Sequence, residues 1–178
     1  MGHTLVAGFS GADLNRITSL LTEDERKVLC KIPFGRGCDR DEADRALPYH
    51  MTLAHWSAAE DPLYLPRLDG LRPPRIALRA ASAACRDVQG GCLLYLRIEP
   101  LSGMDSLRTA IRGMGLEPER FLHITLAVDR DAAALRAIAG RIHASGALPA
   151  VLHPDRLDLY HIWRPVRLIR SFPCEGRD

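Results

Sequence analysis

Two stretches decide the reading: Pro48-Tyr49-His50-Met51-Thr52-Leu53-Ala54 and Phe121-Leu122-His123-Ile124-Thr125-Leu126-Ala127. Each spells His-apolar-Thr-Leu-Ala. The chain has 178 residues with 7 His, 6 Thr and 26 Leu. Random placement gives about 0.03 His-x-Thr-Leu matches, so two matches are on the order of a one-in-a-thousand event. A lone strand histidine is ordinarily a satisfied structural residue. Two identical copies ask for a common cause.

Both stretches alternate apolar and polar residues, the signature of a half-buried strand. On a strand, residues i and i+2 share a face. His50 and Thr52 therefore project together, as do His123 and Thr125. Met51 and Leu53, like Ile124 and Leu126, point the other way into a core. By the same alternation His55 falls on the face opposite His50 and is read as surface. Two such strands side by side deliver two imidazoles and two hydroxyls to one cleft.

That set suits phosphoryl chemistry. A neutral imidazole can take a proton from a nucleophile while an imidazolium gives one to the leaving oxygen. The ordinary imidazole pKa near 6.5 lets both forms coexist near neutrality. Threonine hydroxyls can donate to the non-bridging oxygens as charge builds there. Neither strand carries a His-x-His or an Asp cluster, so the expectation is no metal and no cofactor.

Outward from the motifs, residues 4–9 read as a strand. Residues 13–29 show helical spacing, broken into two helices by a fresh cap at Thr22. Residues 35–46 read as an exposed charged loop, and 63–70 as a short helix or loop. Residues 75–81 and 93–98 read as paired strands, and 102–114 as a helix capped by Ser102. Residues 131–143 read as a helix, and 156–163 with 166–172 as a hairpin turning at Arg164-Pro165. Helices and strands mix without a β-α-β rhythm, so the fold class is α+β with antiparallel pairing. No linker divides the chain, and residues 1–178 read as one domain of two similar halves.

Composition narrows the partners. Net charge is +2 and the apolar fraction 47%, so the chain is globular and not disordered. Of the 24 basic residues, 22 are Arg, but 22 acidic residues cancel the field a long duplex would need. A nucleic-acid partner is therefore short or gripped at its end. No apolar run reaches 18 residues, which argues against a membrane span. The first residues lack a charged leader, and the five cysteines are irregularly spaced. The expectation is a cytoplasmic monomer with free thiols, Cys85 and Cys92 flanking a turn.

The paired motifs resemble those of the 2H phosphoesterase superfamily, in particular its LigT-like group of 2′,5′-RNA ligases and RNA 2′,3′-cyclic phosphodiesterases. The resemblance spans nearly the whole chain. It implies a bilobal fold, two antiparallel sheets related by a pseudo-twofold axis around a central groove, with helices outside. It also implies that His50, Thr52, His123 and Thr125 are catalytic, with His123 as base and His50 as acid. The implied reaction opens a 2′,3′-cyclic phosphate on a nucleotide or RNA end to a 2′-phosphate. The alternatives are cleavage or ligation of 2′,5′ linkages, degradation of a cyclic oligonucleotide signal, and a non-catalytic nucleotide- or phosphate-binding module. Many members carry Arg two residues after the Leu of the second motif, where this chain has Val128. Arg130, Arg120 and Arg164 are its candidate replacements. Trp56, Tyr160 and Trp163 are candidate base-stacking residues.

Overall fold

The structure, a computed structural model, describes residues 2–31, 47–162 and 166–175. Its elements run β1 (Gly2–Gly8), α1 (Gly11–Thr18), α2 (Glu23–Val28), β2 (His50–Ser57), α3 (Asp61–Tyr64), β3 (Ala77–Val88) and β4 (Gly91–Ser102). They continue with α4 (Met104–Gly113), β5 (His123–Asp129), α5 (Ala132–Ala144), β6 (Arg156–His161) and β7 (Arg167–Pro173). Short 3-10 turns, Ala58–Glu60 and Leu65–Gly70, flank α3. The charged loop at 35–46, Trp163 and Arg164 lie outside the described residues.

Local chemistry sets the helix ends. The Glu25 amide donates to the Thr22 hydroxyl at 3.2 Å, and the Thr22 amide donates to the Glu25 carboxylate at 2.7 Å. This reciprocal cap separates α2 from α1. Asp131 caps α5 by accepting from the Ala134 amide at 2.9 Å. Ser102 does not cap α4, as its sequence suggested; it ends β4, and Gly103 takes the cap at φ 76°. A Cβ at Gly103 would run into the Arg75 carbonyl oxygen, so only glycine fits there.

Among the described residues the strands form one seven-stranded antiparallel sheet in the order β3-β4-β5-β2-β1-β6-β7. This corrects the expectation of two sheets: the motif strands β2 and β5 are neighbours and join the halves. Their register holds one pair, Met51 opposite Ile124, so the sheet has a narrow waist at the motifs. On either side of that pair other backbone takes the ladder positions. The Val128 amide donates to the Cys30 carbonyl at 2.6 Å, and the Glu119 amide to the Leu53 carbonyl at 2.7 Å. The diverging strands thus leave these amides paired, as burial requires.

Both motif strands carry a β-bulge at the same place. Val6 pairs with Thr52 and Leu5 with Ala54, which leaves Leu53 as the extra residue. Tyr95 pairs with Thr125 and Leu94 with Ala127, which leaves Leu126 extra. A bulge turns two successive side chains to one side. Leu53, Ala54, Leu126 and Ala127 are accordingly all buried in the same core. The Leu-Ala of the repeated motif is explained by this kink, and the His-x-Thr before it by what faces away from it.

The helices cover one face of the sheet. Leu5, Phe9, Met51, Leu94, Leu96 and Ile124 pack there with Ile17 of α1, Leu107 and Ile111 of α4, and Leu135 and Ile142 of α5. The strands β3 and β4 extend well beyond the runs their sequence suggests, because the Ala/Ser/Cys segment of β3 alternates weakly. Cys85 and Cys92 lie across this hairpin as free thiols, and burial beside Cys92 pushes the Cys85 thiol up to about 11. The other face of the sheet carries the motif side chains.

Candidate active site

The antiparallel register around Met51 and Ile124 sets His50 across from Thr125 and Thr52 across from His123. Each imidazole thus shares the motif face with the threonine of the neighbouring motif strand. Side-chain hydrogen bonds then fix the rings in the same way. His50 Nδ1 lies 2.8 Å from the Pro48 carbonyl, and His123 Nδ1 lies 3.2 Å from the Phe121 carbonyl. In both cases the partner is the backbone oxygen two residues earlier. A carbonyl only accepts, so Nδ1 must carry the proton and Nε2 keeps its lone pair. Two rings on different strands are therefore held in one tautomer, with the reactive nitrogen away from the backbone.

Burial pushes both imidazoles below the ordinary 6.5. At His50 the Pro48 carbonyl opposes that shift, Lys31 and His123 deepen it, and Asp158 opposes it. At His123 the Phe121 carbonyl opposes, Arg86 deepens and Glu119 opposes. The neutral imidazole is thus the resting form of both. The two rings stand on neighbouring strands joined at Met51 and Ile124. Thr52 and Thr125 are half-buried, and among the described residues neither hydroxyl has a hydrogen-bond partner. No group of three His, Cys, Asp or Glu that could hold a metal occurs among the described residues.

The bulges decide what else reaches this face. After Leu53 the alternation resets: His55 pairs with Thr4 on the Val6 and Thr52 side, and Trp56 pairs with His3 on the other. His55 therefore shares a face with His50, which corrects the simple alternation, and its Nδ1 lies 3.1 Å from the Glu119 carboxylate. Trp56 is buried, stacked on His3 at 5.7 Å, and donates to Asp61 at 3.0 Å. The structure does not bring it to the site. In β5 the same reset turns Val128 to the motif face, where it is fully buried beside Cys30.

Of the proposed arginine replacements, Arg130 lies beyond β5 at the turn into α5, and Arg120 pairs with Glu117 at 3.8 Å. The cations that do flank the motifs were missed by sequence reading. Arg97 is in register with His123, and the Arg86 guanidinium lies 5.7 Å from the Phe121 ring centroid. Arg156 is in register with Gly8, itself paired with His50, and its stem crosses the space a Cβ at Gly8 would fill. It bonds Asp158 and Asp155, each at 3.0 Å. Tyr160 is on the motif face but buried among Val6, Leu47 and Val166, which covers its ring. Only the register exposes these placements, because Arg is scattered through the chain and carries no local signal.

Neither a protein-family profile nor any curated protein matches the chain by sequence. Solved structures do match it. E. coli LigT complexed with 3′-AMP superposes at a TM-score of 0.50 and 15% identity, covering 98% of this chain and 97% of that one. E. coli LigT complexed with ATP gives 0.51 and 16%, over the same shares. Kluyveromyces marxianus Usb1 gives 0.49 and 10%, over 97% of each chain. In this chain, as in E. coli LigT, one fold runs from end to end, and that fold is the LigT fold.

Proposed function

We propose that the chain is a metal-independent phosphodiesterase that opens 2′,3′-cyclic phosphates of nucleotides or RNA ends to 2′-phosphates. The observation that carries this reading is the matched pair of imidazoles. Each is pinned through Nδ1 to the carbonyl two residues back, and the two sit on neighbouring strands of one sheet. A binding module has no need of two proton-transfer groups so aligned. The fold supports it, since E. coli LigT has been solved with 3′-AMP and with ATP, ligands of nucleotide size.

In the proposed reaction, His123 Nε2 takes a proton from water, whose oxygen bonds to phosphorus. The P–O3′ bond breaks, and Nε2 of protonated His50 gives its proton to the departing 3′ oxygen. Thr52 and Thr125 donate to the two non-bridging oxygens as negative charge grows on them. The depressed imidazole pKa values keep the base neutral at rest. His50 takes up a proton from solvent as the anionic cyclic phosphate binds beside it, and that proton is the one it later gives to the 3′ oxygen.

The test is a panel of adenosine 2′,3′-cyclic phosphate, adenosine 3′,5′-cyclic phosphate and a 2′,5′-linked diadenylate, run in chelator. The expected result is turnover of the first alone, giving the 2′-phosphate. Turnover confined to the 2′,5′ linkage would replace this reading with cleavage of that linkage. Binding without turnover of any of the three would reduce the site to a nucleotide-binding module.

A further inference from the structure

The two halves of the motif face differ, and the difference locates a second binding element. On the β1-β6-β7 side that face is closed by Val6, Leu47, Tyr160 and Val166, packed on one another and buried. Its polar groups also satisfy each other: Arg156 bonds Asp158, and Ser171 donates to Asp158. On the β3-β4-β5 side an aromatic surface is open instead. Phe121 stands 38% exposed, two residues before His123.

That phenyl ring is held firmly. It stacks on the His123 imidazole at 5.2 Å with 27° between planes. Tyr95 meets it edge-on at 5.4 Å and meets His123 edge-on at 5.8 Å. The Arg86 guanidinium lies 5.7 Å from its centroid. The ring is fixed in place, partly open to water and has a planar guanidinium over it, so a nucleobase entering there would stack on the ring and meet the cation.

We infer that Phe121, braced by Tyr95 and flanked by Arg86, is the seat for the nucleobase of the nucleoside that carries the reacting phosphate. The inference rests on the proposed reaction and adds the orientation of its substrate: base over β4 and β5, departing oxygen toward β2. The base is read by its face. Stacking accepts all four bases and favours purines for their larger area.

The experiment compares adenosine 2′,3′-cyclic phosphate with methyl riboside 2,3-cyclic phosphate, which lacks a base. Wild type, Phe121→Leu and Phe121→Trp are each assayed for kcat and KM on both. A stacked base is worth about 1–3 kcal/mol, so the ratio of kcat/KM values should fall about tenfold or more in the Leu variant. The loss should sit in KM, and Trp should restore it. A Phe121 that only supports His123 would lower kcat on both compounds alike and leave the ratio unchanged, which overturns the inference, as does no change on either. Should wild type turn over neither compound, the reaction is wrong and the seat is tested by calorimetry with adenosine 2′-phosphate and methyl riboside 2-phosphate. Tighter binding of the adenosine compound, lost in Phe121→Leu, sustains the seat; equal binding overturns it.

Discussion

Replacing Thr125 by valine isolates one hydroxyl. The side chain is half-buried on the motif face, and among the described residues its hydroxyl holds no partner that the change would orphan. Valine keeps the β-branch that suits a strand. Thr125 pairs with Tyr95 through backbone alone, so the register and the adjoining bulge at Leu126 stay in place. Folding stability should therefore move by no more than about 0.5 kcal/mol. Catalysis should not be so tolerant. A hydroxyl that donates to a non-bridging oxygen strengthens as charge develops there, and removing one such donor costs about 10²- to 10³-fold in kcat, or about 3–4 kcal/mol. The assay is steady-state hydrolysis of adenosine 2′,3′-cyclic phosphate, with the thermal midpoint measured alongside. The expected pattern is a large loss of kcat, a KM within about threefold of wild type, and an unchanged midpoint. Thr52 holds the equivalent place in the other motif, so Thr52→Val should behave alike. A KM rise with kcat intact would show that the hydroxyl only binds the ground state, and the proposed role would be wrong.

Three further outcomes follow from the same geometry. His50 and His123 both titrate below 6.5, so the unfolded chain binds more protons than the folded one just under that pH. Their stability contribution is present above pH 6.5 and is lost as pH falls toward the folded-state values. The thermal midpoint should drop across that window, and drop less in a His50→Gln, His123→Gln double variant; Lys31 and Arg86 deepen the effect while Asp158 and Glu119 oppose it. A cyclic phosphate with sulfur at the 3′ position has a leaving group that needs no proton, so it should rescue His50→Ala but not His123→Ala. Rescue of the other variant would exchange the two roles. Gly103→Ala places a side chain at φ 76° against the Arg75 carbonyl and should cost about 1–3 kcal/mol in denaturant unfolding with kcat of the folded enzyme unchanged.

The motif strands and the four groups they carry were legible because alternation and repetition are local properties. The cap at Thr22 was legible for the same reason: its partner, Glu25, is three residues away. What escaped is what depends on register. The bulges at Leu53 and Leu126 shift alternation by one, so His55 and Trp56 exchanged faces relative to a straight strand. Tyr160 was placed correctly on its strand, yet the packing of Val6 and Val166 over it comes from segments distant in the chain. Tyr95 and Phe121 are brought together by the pairing of β4 with β5, and neither has a neighbour in sequence that marks it. The single sheet likewise hinges on one long-range pair, Met51 with Ile124, which no local pattern announces.

The central claim is that two imidazoles act as one acid–base unit. Single-turnover hydrolysis of adenosine 2′,3′-cyclic phosphate by His50→Ala, His123→Ala and the double variant tests it most directly. Groups that act as a unit are strongly non-additive, so each single variant should lose about 10³-fold or more, with little further loss in the double. Wild-type rates in either single variant, or losses that multiply fully in the double, would contradict the account.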